Sequence, residues 1–428
     1  MARACLLLFL GLSAFAWQEP QTSSELALVQ RARERMAANI ERLPNYTCLE
    51  TIERSVRVPD KDKLLFRDRI HLDVAFIGAN EMFAWPGSSQ FEAGLIRELP
   101  QGGAIGNGGF GGWIGSLFGP SAPAFSYAGA CMVEGRHGSR YSFRVPLLSS
   151  THTIILDDRE ATSAYSGYIC VDPDALDVMM LDEHAEEIPL PVASASEAIR
   201  YARTTVGSGD FLLPQYDELT MTDLKGTENR TVTSFTGCRQ YTSQSSISFG
   251  TDHTAAPSPL GKPVPQEETG EIELPAGISF DLKLETPIKF GESAVGDPIT
   301  ARLNRPIVAA GISVPKGAAV SGRIRALEQY YEPRKTFVVS LEFFSLTFEG
   351  KRALFRARLI GPRLEERTHL GETLGGFATE AAGPARSEIV GLDIDTSAPR
   401  FGVFRIPGER LNLERGLHMI WETQDAKP

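Results

Sequence analysis

The chain has 428 residues, 42% of them hydrophobic and 23% charged. That is more than one ordinary domain, and it excludes both wholesale disorder and a polytopic membrane protein. Lys+Arg 43 against Asp+Glu 54 leave a net charge of −11, so the average surface repels nucleic acid and anionic membranes. Gly 40 and Pro 27 favour turns and short strands over long helices.

The first segment reads as an address. Arg3 supplies a positive start, Cys5 to Phe15 is apolar, and Ala14-Phe15-Ala16 is a small-x-small cleavage site. This is the layout of a secretory signal peptide over residues 1–16. A membrane anchor needs roughly 18 or more apolar residues, and Gln18-Glu19-Pro20 stops the run early. Cys5 comes too early to be a lipoprotein cysteine. The mature chain is expected to start at Trp17 and to be exported to the periplasm or beyond, soluble after cleavage. Losing Arg3 takes its charge from −11 to −12.

Without Cys5, four cysteines remain: Cys48, Cys131, Cys170 and Cys238. An exported chain meets an oxidising compartment, which favours structural disulfides over free buried thiols. No two of them lie within four residues of each other, so the Cys-x-x-Cys zinc or redox signature is missing. Cys48 opens the first strand and Cys238 lies near the last strand of the same half. Cys131 and Cys170 lie on strands two or three elements apart. The expected pairs are Cys48–Cys238 and Cys131–Cys170.

In chain order, Ser23 or Ser24 caps a helix that carries Leu26, Val29, Ala32, Arg33, Met36, Ile40 and Leu43 at three- and four-residue spacing, ended by Pro44. The period then changes to two. Tyr46 to Val58 reads as a strand. In the next one, Phe66, Ile70, Leu72, Val74 and Phe76 alternate with Arg67, Arg69, His71 and Asp73, giving one dry and one wet face. Further strands are expected at 80–85, 125–134, 141–145, 152–157, 162–171, 177–188, around 199–201, and at 216–224, 228–239 and 241–249. One helix and a long meander predict a large curved antiparallel sheet, an unclosed barrel wrapping the helix.

Residues 102–119, GGAIGNGGFGGWIGSLFG, interrupt the meander. They read as a flexible loop leading into a short apolar helix, which either plugs one mouth of the sheet or forms a mobile lid. No GxxxxGK[ST] accompanies the glycines, so phosphate binding is not implied. Residues 250–272 are rich in Pro, Thr and Gly and read as a linker. The domain organisation is therefore 17–249 and 273–428. The second part alternates again at 278–285, 297–304, 318–328, 335–348 and 351–360, with short strands near 401–406 and 417–422. It predicts a smaller β-barrel or sandwich with a loop-rich stretch at 361–398, including a flexible excursion at 371–376.

The search for chemistry nominates no catalytic set, and the chain reads as non-catalytic, with no cofactor and no metal. The seven histidines are dispersed, so HExxH-type pairs are missing. Asp182, His184 and Glu186 would share one face of a strand, which more often is simply a solvated face. There is no GxSxG. Paired carboxylates cannot be picked from 54 acidic residues without geometry.

The order of signal, amphipathic helix, LPNYTC at 43–48 and strand meander resembles the LolA/RseB-type envelope fold, over residues 23–249. The resemblance implies an apolar cavity and a role in carrying or sensing lipids or lipoprotein acyl chains. The strings LPNYTCLETIERS, DFLLPQYDELTMTD and FTGCRQYTSQSSISF are similar to those of exported proteins of Acidobacteria-type genomes, a likeness that brings no activity. Residues 274–324, with LPAGISFDLKLETPI, AVGDPITARLNRPI and VPKGAAVSGRI, resemble the C-terminal β-barrel of TrbI-type secretion proteins. The ring-forming, membrane-crossing helices of that family are not evident here.

Two functions follow. The first is a secreted, non-catalytic cell-envelope protein binding an apolar ligand, a lipid or acylated protein, in the N-terminal half. Its cavity and lid would be lined by Ile70, Leu72, Val74, Phe76, Phe110, Trp113 and Phe118. The second is an envelope assembly protein acting on a partner through the C-terminal β domain. Neither involves nucleic acid or integral membrane insertion.

Overall fold

The computed structural model describes residues 23–425, apart from residues 60, 78–79, 89, 100–103, 106–115, 120–121, 157–158, 242–270, 310, 333 and 363–400. The signal peptide at 1–16, Phe110, Trp113, the 371–376 excursion, the strand expected at 241–249 beyond Tyr241, and all but the last two residues of the 250–272 linker lie outside the described residues.

Helix α1 spans Ser23–Arg42, with Glu25 in its first turn and Arg42 in its last. Both charges sit favourably against the helix dipole. Twelve strands follow. They are β1 (Tyr46–Arg57), β2 (Leu65–Ile77), β3 (Asn80–Ala84), β4 (Ser126–Val133), β5 (Arg136–Val145), β6 (Thr153–Leu156), β7 (Arg159–Thr162), β8 (Ala164–Val171), β9 (Val178–Glu186), β10 (Val192–Val206), β11 (Gly209–Asp223) and β12 (Glu228–Gln240). All but β6 and β7, which pair with each other, form one ten-stranded sheet in the order β3-β2-β1-β12-β11-β10-β9-β8-β5-β4. The sheet is antiparallel throughout. The protein is mainly β, with an N-terminal helix and a large curved antiparallel sheet.

The helix lies across the concave face. The Tyr141 hydroxyl on β5 donates to the Glu25 carbonyl at 3.0 Å. At the other end Asn39 exchanges two hydrogen bonds with the Leu212 backbone on β11, at 3.2 and 2.9 Å. Leu28, Val29, Ala32 and Met36 form its buried face. The spacing placed Leu26 on that face. Leu26 is exposed and Leu28 takes its place, because the anchors at Glu25 and Asn39 set which side of the helix meets the sheet.

Two other strand expectations are corrected. The stretch 162–171 is not one strand. Buried Ser163 breaks it, with its hydroxyl 2.9 Å from His152 Nδ1, so that Thr162 stays with β6 while β8 joins the main sheet. Strands β10 and β11 are much longer than 199–201 and 216–224 suggested. A register shift between Arg200 and Tyr201, opposite Pro214 and Tyr216, puts their two ends out of phase, and alternation alone misses the joined strand.

Cys48 on β1 is bonded to Cys238 on β12, with Cα atoms 4.1 Å apart. This ties the first strand in chain order to the last, which is its neighbour in the sheet. Cys131 on β4 is bonded to Cys170 on β8, with Cα atoms 6.1 Å apart, across the intervening β5. Gly138 on β5 makes that crossing possible. A Cβ there would lie 2.8 Å from Cys170 Sγ and 2.6 Å from Met179 Cε.

The second sheet contains β13 (Glu271–Glu273), β14 (Ser279–Leu284), β16 (Pro298–Leu303), β19 (Ala319–Tyr330), β20 (Thr336–Phe348), β21 (Lys351–Leu354), β22 (Arg356–Pro362), β23 (Gly402–Pro407) and β25 (His418–Gln424). Two small ribbons accompany it: β15 (Ile288–Lys289) with β24 (Asn412–Leu413), and β17 (Ile307–Ala309) with β18 (Ile312–Val314). The sheet order is β13-β21-β20-β19-β16-β14-β25-β22, with β23 also beside β20. The strand expected at 351–360 is two: β21 returns along β20, while β22 pairs with β25. Buried Phe355 marks the switch, packed edge-on against Phe280.

The two sheets meet at β2. Strand β3 covers only Asp73–Ile77 of that edge. Beside it, Val295 bonds to the exposed backbone, accepting from His71 N–H and donating to Arg69 C=O, both at 2.8 Å. Gly296 follows, where a Cβ would strike the His71 carbonyl oxygen at 2.4 Å. His71 Nδ1 lies 2.7 Å from Asp297 Oδ1. Arg325 of β19 stacks over Trp85 and bonds Glu98 at 2.8 Å. One apolar cluster runs through this contact, from Tyr46, Ile52 and Ile70 to Val295, Ile324 and Phe337.

Candidate ligand site: a buried acid row on the concave face

Strand alternation decides which side chains face inward. On β1 the inward set is Tyr46, Cys48, Glu50, Ile52, Arg54 and Val56, all buried. Two of these are charged, and they have different fates. Arg54 is matched within the chain. Its Nε donates to Asp68 Oδ1 at 2.7 Å, a second bond reaches Asp68 Oδ2, and Glu328 of the second sheet lies 3.8 Å away. Glu50 faces other acids.

Those acids come from three further strands. Glu183 on β9 is directly opposite Glu197 on β10. Glu197 is opposite Leu219 on β11, and Asp217 is the next residue of β11 on that face. Asp217 is opposite Thr233 on β12, and the neighbouring Phe235 is opposite Glu50. Glu183, Asp217, Glu50 and Glu197 are 2%, 4%, 4% and 6% exposed. Among the described residues, Glu50 Oε2, Glu183 Oε2 and Asp217 Oδ1 are buried and have no hydrogen-bond partner. A buried polar atom without a partner costs about 1–3 kcal/mol, so three on one face are a considerable burden.

Burial in a region of like charge keeps these groups protonated. Burial first, then the Glu81 charge, pushes the Glu50 carboxyl from its ordinary 4.5 up to about 8. Burial, Glu197 and Asp182 push Glu183 from 4.5 up to about 9. Asp217 is raised by burial and by its hydrogen-bonded neighbour Glu197. Burial also raises the Tyr201 and Tyr46 hydroxyls, with further contributions from Glu81 and, for Tyr201, from Glu197 and Asp217. At neutral pH Glu50 and Glu183 are neutral carboxylic acids that donate as well as accept hydrogen bonds. A glycan-cleaving pair flanks a scissile bond with room for the sugar between its carboxyls. Here the facing acids are enclosed.

The apolar side chains around the row fall into two regions. On one side, Leu28, Val29, Ala32 and Met36 of α1 pack with Leu117, Phe118, Phe125, Phe143 and Ile169. On the other, the β1 and β2 residues join the cluster that continues into the second sheet. The residues nominated from sequence divide between these regions. Ile70, Leu72 and Val74 are fully buried in the second, with Phe76 packed half-buried against it, its ring 5.8 Å from that of Tyr46. Phe118 belongs to the first and stacks on Phe125. Among the described residues, the β2 set and Phe118 belong to different apolar clusters. The glycine-rich segment touches the same face at its described ends. Ala104 accepts a 2.7 Å hydrogen bond from Thr231, and Leu117 and Phe118 pack beneath the helix.

Asp182 and His184 point away from the acid row, with His184 Nε2 3.1 Å from Asp182 Oδ1, while Glu183 between them points inward. Among the described residues there is no group of three or more His, Cys, Asp or Glu side chains arranged to hold a metal. No described helix is long and apolar enough to cross a membrane. Sequence reasoning missed Glu50, Glu183, Glu197 and Asp217. The available signal was a carboxylate on the apolar parity of a strand, as at Glu50 between Cys48 and Ile52.

The architecture is that of a curved antiparallel sheet closed over a helix, with a second sheet docked on its edge. No protein-family model matches the chain, and no curated protein matches it. Among solved structures it is similar to a DUF1329 family protein from Desulfovibrio piger, at 11% identity and a TM-score of 0.29, covering 52% of this chain and 95% of that one. It is also similar to a candidate outer membrane lipoprotein-sorting protein domain from Vibrio parahaemolyticus, at 12% identity and a TM-score of 0.28, covering 52% and 94%. A third similarity is to the MucA/MucB complex of Pseudomonas aeruginosa, at 13% identity and a TM-score of 0.17, covering 77% and 91%.

Proposed function

We propose that this chain is an exported, non-catalytic envelope protein that binds a lipid or an acylated protein on the concave face of its first sheet. The observation that carries the reading is the acid row. Three buried carboxyl oxygens lack partners, and apolar side chains flank them along their strands. A ligand with an acyl chain and a polar end would fill both needs. Its chain would lie among apolar side chains, and its polar end would relieve buried atoms that now lack partners. The two disulfides fit an oxidising compartment. The second sheet, held on the β2 edge by Val295, serves in this reading as a wall of the site.

Organic extraction and mass spectrometry of the purified protein, with titration of a fluorescent acyl probe, tests this. Co-purifying lipid or saturable probe binding supports it. A lipid-free protein indifferent to every acyl probe overturns it. Elution of the same preparation as a larger assembly with a defined envelope partner would favour the alternative, assembly through the C-terminal sheet.

A further inference from the structure

We propose that one end of the first sheet docks on the surface of a lipid bilayer, through Leu148, Leu190 and Leu224 on the turns at that end. This goes beyond the acyl-ligand reading above and does not depend on it.

The sheet register fixes which turns share an end. Arg57, closing β1, is opposite Glu228, which opens β12. Asp223, closing β11, is opposite Val192, which opens β10. Glu186, closing β9, is opposite Ala164, which opens β8, and Val145, closing β5, is opposite Tyr165. The chain leaving β1, β5, β9 and β11 therefore emerges along one rim. Two contacts join its turns directly. Leu224 N–H donates to the Pro191 carbonyl at 3.0 Å, and a Cβ on Gly226 would lie 3.8 Å from Pro59 Cγ. Among the described residues of this half, the exposed large apolar side chains are Leu26, Met132, Leu147, Leu148, Leu190 and Leu224. The last four stand on this rim. Leu148 is fully exposed, Leu190 71% and Leu224 62%. At the opposite end the described turns, 134–135, 172–177 and 207–208, expose Glu134, Pro173, Asp174 and Ser208 and no large apolar residue.

A single exposed leucine is ordinary. Several in the turns at one end of a sheet, with none in the described turns at the other, mark an interaction surface. Its layout selects the partner. Strands β8, β9 and β10 lie between β5 and β11, and neighbouring strands are about 4.8 Å apart, so Leu148 and Leu224 are about 20 Å apart along the rim. Exposed Ser149, Glu187 and Lys225 interrupt the leucines, so the rim lacks the continuous apolar centre of a protein interface. A bilayer surface needs no matching pockets and takes each leucine separately. Among the described residues, the exposed charges of these turns are Lys61, Asp62, Lys63, Glu187 and Lys225. Cations are in excess there, although the chain as a whole carries −11, and they suit the anionic head groups of a bilayer.

The test is flotation of the full mature chain with vesicles of phosphatidylethanolamine and phosphatidylglycerol. The native protein is expected to float with the vesicles. L148S, L190S and L224S are each expected to lower the partition coefficient by about tenfold, and the triple variant to stay at the bottom of the gradient. M132S, at the other end of the sheet, is expected to float like the native protein. Equal urea midpoints for all variants check that the fold is intact. The indole introduced by L148W is expected to be quenched by brominated acyl chains in the vesicles, which adsorption through charge alone would not produce. A native protein that does not float, a triple variant that floats equally well, or an unquenched L148W indole would overturn the proposal. So would a triple variant whose elution volume changes in the absence of vesicles, because the leucines would then join copies of the chain. Binding of a fluorescent acyl probe in vesicle-free solution is expected to be the same in the triple variant and the native protein. Flotation without probe binding would overturn the acyl-ligand reading alone.

Discussion

Replacing Glu50 with Gln gives the sharpest test of the buried row. The amide keeps the size of the carboxyl and cannot ionise. In the unfolded chain Glu50 titrates near 4.5, and in the folded protein near 8. Between those values the folded protein holds a proton that the unfolded chain has lost, so stability falls as pH rises through that window. Below the window both states are protonated and the carboxyl adds no pH dependence. Above it the loss is complete. At about 1.36 kcal/mol per pH unit, the interval amounts to roughly 5 kcal/mol above pH 8 and roughly 3.4 kcal/mol at pH 7. E50Q lacks this loss. Its stability relative to the native protein is therefore expected to rise by that amount from pH 4.5 to pH 8.5 and then level off. Urea unfolding at pH 5, 7 and 8.5, with and without the substitution, measures the difference directly. Parallel pH profiles for the two proteins would refute the reasoning, because they would mean that the Glu50 carboxyl is already ionised and matched in the folded state.

Three other outcomes test the frame around the row. Arg54→Met leaves Asp68 and Glu328 buried without their cation and is expected to cost about 3–5 kcal/mol in urea unfolding, while R54M/D68L/E328L recovers most of the loss. A single substitution costing under about 1 kcal/mol would show that the triad is not enclosed. With sequence separations of 190 and 39, replacing Cys48 and Cys238 by Ala is expected to cost about 5 kcal/mol, and replacing Cys131 and Cys170 about 4 kcal/mol, in the chain-entropy account. A reversed order of unfolding midpoints contradicts that account. Gly138→Ala puts a Cβ 2.9 Å from the Val171 carbonyl oxygen as well as against the disulfide, so a loss of about 1–3 kcal/mol is expected. A thermal midpoint equal to that of the native protein would show that β5 can move aside.

What could be read from the sequence follows the range of the interaction involved. Helix α1 and the wet and dry faces of β2 are set by neighbours three, four or two residues apart, and composition and period reveal them. Even so, the helix stripe was misplaced at its start, because Leu28 rather than Leu26 is buried through anchors to β5 and β11. Ser163 and Phe355 end strands without a Gly or Pro, since what changes there is the pairing partner, from β6 to the main sheet and from β20 to β25. Nothing local marks such a change.

The inward charges were half legible. Glu50 and Arg54 stand on the apolar parity of β1, and Asp68 on that of β2, so the sequence already places three charges where solvent is scarce. Their different roles were hidden, because Asp68 is across a hairpin, Glu328 comes from the other sheet, and Glu183, Glu197 and Asp217 reach Glu50 only through the sheet order. An inward acid beside an inward arginine is a structural pair, and removing either member should only destabilise. An inward acid surrounded by further acids lowers stability over the whole neutral range without a matching contact in the chain. Keeping Glu50, Glu183 and Asp217 on one face, each with a buried oxygen that lacks a partner, is physically reasonable if something outside the chain uses them. The E50Q experiment bears on both halves of that statement: a more stable protein at pH 8.5 establishes the burden, and weaker binding of the fluorescent acyl probe ties it to the ligand.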